Sequence, residues 1–370
     1  MSILQQAAAW TAAAALALSI NAGAQVTKKS WGNVDGVPVD LYTIHGPITV
    51  SLTNFGAHVV SIEAPDRNGH MADVVLGFRD VDGYANLKNT SYIGAIVGRY
   101  GNRIQGGTFS IDGHTYHVPR NDKQNALHGG TKGFDRKVWT AKELPHGVEF
   151  TLVSPDGDMG FPGTLTAHVK YVLEGSSLHI EYSATTTKPT VLNLTNHAYF
   201  NLSGEDSGTM LNEKLMLNAD RFTPIDAGLI PTGKLELVAS TPFDFRTPHP
   251  IGQRISADNE QLKLAGGYDH NFVLNGKPGT LHLAAKVVDP ASGRTLTIDT
   301  TEPGVQFYSG NFLDGTLTGI GGKPYVKHAG FCLETQHFPN SPNEPSFPST
   351  ELKPGQTFHS ETVLHFGVEK

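Results

Sequence analysis

From Gln25 onward the chain is written mainly in a two-residue period. Leu165, Ala167, Val169, Tyr171 and Leu173 alternate with Thr166, His168 and Lys170. After the turn residues Glu174-Gly175-Ser176, Leu178, Ile180 and Tyr182 alternate with His179 and Glu181. Successive side chains of a strand point to opposite faces, so each run reads as a half-buried β-strand. The segments 48–52, 148–152 and 294–298 repeat the pattern. Phe109-Ser110-Ile111 and Tyr116-His117-Val118 flank Asp112-Gly113, a hairpin signal because both turn residues tolerate positive φ. Helical periodicity is scarce, and its best stretch is short, from Ser256 to Leu264. Glycine (41) and proline (22) fall between the strand runs, which favours a large antiparallel all-β sandwich. Residues 25–370 are read as one such domain, although that length exceeds the size at which cores usually divide.

Charge narrows the partners. The formal net charge is −7 and no Lys/Arg run forms a patch, which argues against nucleic acid or anionic lipid. A neutral or polar small ligand fits better. The N-terminus stands apart: Ala7 to Ile20 is an apolar, alanine-rich run, and Ala22-Gly23-Ala24 follows as a small-residue site before Gln25. The run is too short to span a bilayer comfortably and reads as a cleaved signal peptide over residues 1–24. It departs from the usual pattern in having no Lys or Arg before it. The expected location is therefore outside the cytoplasm, in the periplasm or secreted, with no membrane attachment after cleavage. Cys332 is the one cysteine, so no intramolecular disulfide is possible, and it reads as a small buried hydrophobe.

Chemistry concentrates in polar residues set among strand ends and glycine-rich turns. Asn102 and Arg103 adjoin small residues that permit close approach, and Arg103 offers a donor fork suited to sugar oxygens, a carboxylate or a structural ion pair. His128 precedes Gly129-Gly130, so its ring can face a cavity or bond its own loop. His197 ends a strand-like run and precedes Tyr199 and Phe200; aromatic faces stack on sugar C–H faces, but they also pack core-edge histidines. Glu334 follows the apolar run Phe331-Cys332-Leu333, so it is either a partly buried base or a strand residue facing water. His114 and His117 form an H-x-x-H pair, yet on a hairpin strand that spacing points them to opposite faces, and no metal site is expected.

Together these segments resemble the aldose 1-epimerases, also called galactose mutarotases. The likeness runs from about Trp31 to the C-terminus. It is carried by Asn102-Arg103-Ile104, Leu127-His128-Gly129-Gly130, Thr195-Asn196-His197 leading into Tyr199-Phe200-Asn201-Leu202, Gly267-Tyr268-Asp269-His270, Pro303-Gly304-Val305-Gln306-Phe307-Tyr308 and Leu333-Glu334-Thr335-Gln336. The resemblance implies a supersandwich with the sugar in an open cleft, and a cofactor-free isomerase acting on free hexoses such as D-glucose and D-galactose. It implies Glu334 as general base and His197 as general acid. Asn102, Arg103, His128, Asp269 and Gln306 match the family's sugar-binding set, with Tyr199 lining the cleft beside the acid. The protein would be a monomer or homodimer.

The chemistry suits those residue types. Changing an anomer requires opening a cyclic hemiacetal and closing it on the other face. A base takes the O1 proton and an acid protonates ring O5. Ordinary pKa values of about 4.3 for Glu and 6.5 for His bracket mildly acidic conditions. Burial of Glu334 and a carboxylate near His197 are expected to move both towards neutrality. Other readings are a sugar-binding module without a paired acid and base, a glycan lyase or hydrolase using Asp269 as second carboxylate, and a hexose-6-phosphate epimerase, which would need a basic cluster beyond Arg103.

Overall fold

The computed structural model describes residues 24–86 and 89–369. The apolar leader segment lies outside the described residues. The two-residue period becomes a nine-stranded antiparallel sheet whose centre is Leu165–Glu174, Ser177–Thr186, Phe358–Val368 and Arg294–Thr300. Leu165–Glu174 and Ser177–Thr186 pair without a break from Leu165↔Thr186 to Glu174↔Ser177. Leu165, Ala167, Val169, Tyr171 and Leu173 are at most 2% exposed. Each large apolar side chain gains about 1.5–3 kcal/mol from burial, so a one-residue slip, which would turn them all outward, is excluded.

A six-stranded sheet packs against it. Its order is Tyr199–Phe200, Phe331–Gln336, Gly304–Tyr308, Asp269–Leu274, Ala219–Phe222 and Glu236–Leu237. One apolar core joins the two sheets: Val169 and Ile180 from the first and Phe272, Phe307 and Phe331 from the second share it. Five further strands, from Gln25–Val34 to Met71–Asp73, form a third antiparallel sheet. The architecture is the expected all-β sandwich.

The expected hairpin is present: Thr108–Ile111 pairs with His114–His117 around Asp112 (φ 49°) and Gly113 (φ 79°), and both histidines are exposed. The helix expected from Ser256 starts later, at Glu260–Ala265. Asn259 sets that start, because its side chain accepts from the amides of Gln261 and Leu262. Gly266, at φ 67°, ends it. A second helix, Val81–Ala85, buries only Val81 and Tyr84, too few positions to show a helical period.

Phe331–Gln336 and Gly304–Tyr308, the second and third strands of the six-stranded sheet, are buried along their whole length. Their alternation separates two interiors. Val305, Phe307, Phe331 and Leu333 point into the core. Gln306, Tyr308, Cys332 and Glu334 point the other way. Gln306 stands opposite Glu334, and Tyr308 opposite Cys332. The next strand adds Asp269 opposite Tyr308, and the edge strand adds Tyr199 opposite Cys332.

Candidate active site

That second face is one wall of a cleft of about 120 Å³, lined by Thr90, Ser91, Tyr92, Asn102, Arg103, Leu127, His128, His197, Tyr199, Asp269, Tyr308, Phe312 and Glu334. The opposite wall is built from turns. Arg103 pairs with Leu127 across a two-residue ladder, which delivers His128 beside Asn102. The two then lock reciprocally: His128 N–H donates to the Asn102 carbonyl (3.1 Å) and Asn102 N–H donates to His128 Nδ1 (3.1 Å). Gly129 (φ 85°) allows the chain to leave this lock, because a Cβ there would lie 2.1 Å from the Gly98 carbonyl oxygen. Tyr92, Asn102 and His128 themselves sit at φ 54°, 64° and 50°. Such backbone is costly for non-glycine residues and clusters where surrounding structure holds functional groups in place. His197 follows a short pairing of Thr195–Asn196 with Ile96–Val97, and its N–H donates to the Ala95 carbonyl (2.9 Å).

The cleft brings together residues far apart in sequence. His197 Nε2 lies 3.7 Å from Glu334 Oε2, and the two side chains are 6% and 3% exposed. Arg103 is held by Asp122 (Nε to Oδ2, 2.8 Å) and lies 3.8 Å from Asp269. Gln306 donates to Asp269 Oδ1 (2.7 Å). It therefore stands behind Asp269 instead of lining the cleft, the one expected site residue not on its wall. Tyr199 OH donates to the Ser91 carbonyl (2.9 Å).

Burial dominates the electrostatics. It raises the Glu334 carboxyl well above its ordinary range; the Asp269 charge raises it further and Arg103 opposes. Asp269 is also raised, by burial first, with Arg103 and Gln306 opposing. His197 is lowered to about 4 by burial, partly offset by a hydrogen bond to its own backbone. The expectation that a neighbouring carboxylate would raise His197 is corrected here, because desolvation of the enclosed ring outweighs that attraction. His128 is lowered by burial, then by His197 and Arg103. Both charged forms of the Glu334–His197 pair are thus disfavoured by burial.

Donor atoms of His128, His197 and Glu334 lie within 4.8 Å of one another, a set of the right type for a divalent metal. The hydrogen bonds oppose it. An amide only donates, so a neutral His128 that accepts from Asn102 at Nδ1 carries its proton on Nε2 and has no lone pair to offer the cleft. The residues do not fit a metal.

A larger groove of about 500 Å³ lies on the outer face of the nine-stranded sheet. Its charges are already paired: Lys170–Glu181 at 2.9 Å and His168–Glu149 at 3.6 Å. The smaller cleft gathers Tyr92, Asn102 and His128, all at positive φ, and the buried, unpartnered Oε2 of Glu334.

Tyr92, Tyr308 and Phe312 line the cleft without having been singled out from the sequence. Tyr308 had a signal, since it shares a strand face with Gln306. Tyr92 and Phe312 are loop residues with no period to mark them.

The chain is similar to known proteins over most of its length. Residues 40–365 match the aldose 1-epimerase family. The chain is 43% identical to a human galactose mutarotase over 348 residues, covering 93% of this chain and 99% of that protein. It is 39% identical to an aldose 1-epimerase of Escherichia coli K12 over 341 residues, 90% and 97% of the two chains. The crystal structure of a galactose 1-epimerase from Lactobacillus acidophilus superposes with a TM-score of 0.82 at 27% identity, covering 94% of this chain and all of that one. The chain belongs to the aldose 1-epimerase family, carbohydrate isomerases that interconvert the anomers of free sugars.

Proposed function

We propose that Glu334 is the general base and His197 the general acid of this anomer exchange, with D-glucose and D-galactose as substrates. The observation that carries the assignment is the 3.7 Å separation of Glu334 Oε2 and His197 Nε2 inside one buried cleft. The reacting form is the one in which the shared proton sits on His197 and Glu334 is ionised. Glu334 takes the O1 proton, the O1–H electrons form the C1=O bond, the C1–O5 bond breaks, and O5 takes a proton from His197 Nε2. The open aldehyde then faces a neutral carboxyl and a neutral imidazole. Rotation about C1–C2 and reversal of both transfers gives the other anomer. Ring opening removes charge from a low-dielectric site, which lowers the cost of the step. Arg103, His128, Asn102, Asp269 and Tyr199 hold the hydroxyls, and Gln306 orients Asp269.

Polarimetry of freshly dissolved α-D-glucose and α-D-galactose tests this. His197→Asn is expected to lower turnover by at least about 10²-fold with the fold retained. Near-normal rates would refute the assignment. The wild-type pH profile of kcat/KM should be bell-shaped. It falls below about 4, where His197 takes a second proton onto the pair. It falls again above the raised Glu334 value, where the last proton leaves.

We further propose export to the periplasm with cleavage before Gln25, supported by the alanine-rich run and its small-residue end. N-terminal sequencing of the protein from fractionated cells should read Gln25; an intact Met1 in the cytoplasmic fraction would overturn it.

A further inference from the structure

His128 and His197 stand side by side, with ring centroids 5.2 Å apart. Their far nitrogens have different neighbours. Nδ1 of His128 faces an amide that only donates. Nδ1 of His197 meets Sγ of Cys332 at 3.4 Å. Cys332 is 0% exposed, and it precedes Glu334 by two residues, so both share the cleft-facing side of one strand. A thiol sulfur accepts as well as donates.

A proton exchanged with O5 must leave from and return to Nε2, the nitrogen that faces Glu334. Nδ1 must then keep its own proton whether the ring is neutral or charged, and so needs an acceptor throughout the cycle. The Cys332 sulfur is the side-chain group positioned to be that acceptor, alongside the residue's own backbone. We propose that Cys332 is a positioning residue for His197: its sulfur accepts from Nδ1–H and keeps Nε2 as the exchanging nitrogen, while the Asn102 amide pins His128 in the opposite tautomer. His128 is then a fixed Nε2–H donor to the sugar, and His197 the proton exchanger. Burial keeps the Cys332 thiol protonated, so the contact brings no extra charge beside Glu334. The inference rests on the assignment of His197 as the acid.

Long-range proton–nitrogen spectra of histidine-labelled wild-type protein at neutral pH read the tautomers directly. His197 is expected with its proton on Nδ1 and His128 with its proton on Nε2, the signals being assigned with His197→Asn and His128→Asn. Kinetics supply the second arm. Cys332→Ser, whose hydroxyl also accepts, should keep kcat within about 3-fold, whereas Cys332→Ala should lose about 10-fold in kcat with KM within about 2-fold. A wild-type His197 protonated on Nε2 overturns the proposal. So do Ser and Ala variants of equal kcat, whether both are active or both impaired. If His197→Asn keeps wild-type turnover, the acid assignment fails and this inference with it. An inactive His197→Asn beside indistinguishable Cys332 variants overturns this inference alone.

Discussion

Glu334→Gln should abolish most of the activity while leaving the protein as stable as before, or more so. The amide is nearly isosteric but cannot take the O1 proton, so turnover is expected to fall by about 10²–10⁴-fold. Stability should move the other way. Glu334 Oε2 is buried and has no hydrogen-bond partner in the protein. Removing an ionisable group whose charged form is disfavoured by burial relieves a desolvation cost in the folded state. Polarimetry gives the first number and a thermal melt the second. A variant that still interconverts anomers at near wild-type rate would remove Glu334 from the chemistry. One that melts well below the wild type would show the carboxylate holding the fold together.

The second large effect falls on a residue four positions before Arg103, in the segment from Gly98 to Ile104. Arg99 is 2% exposed and points away from the cleft. Its guanidinium donates to the carbonyls of Ser154 (3.0 Å), Pro155 (2.9 Å) and Pro162 (2.8 Å) and to Ser154 Oγ. Burial lowers its pKa, with Asp158 and Asp156 opposing. Arg99→Met fills much of the space but leaves those acceptors without donors. Each unmet buried group costs about 1–3 kcal/mol, so a loss of about 3 kcal/mol or more is expected in denaturant titration. The variant that remains folded should keep a near-normal KM, because Arg99 does not line the cleft. An unchanged midpoint would refute the structural role.

The long strands could be read because one side of each faces water, so polar and apolar residues alternate. In Phe331–Gln336 and Gly304–Tyr308 both sides are enclosed. There the period survives only as a change in what each side is buried against. Cys332 and Tyr308 therefore looked like ordinary core residues, and Glu334 could equally have faced solvent. The family likeness, not the spacing, singled out Glu334, His197 and Asp269. It could not foresee that enclosure would lower His197, because that depends on how completely neighbouring loops close over the ring. Nor could it reveal Tyr92, whose loop carries no repeat.

The two sides of the cleft differ in what they can tolerate. The strand wall shares its backbone with the core, and its Tyr308 and Cys332 also pack in a second buried apolar cluster. The mouth is looser: Phe312 is 62% exposed, and Thr90 and Ser91 sit in a loop. Evolvability is therefore distributed unevenly across one binding site. New sugar preferences are most readily acquired at the rim, where a changed side chain costs little stability, while the proton-transfer apparatus is fixed by its chemistry on strands whose backbone belongs to the core.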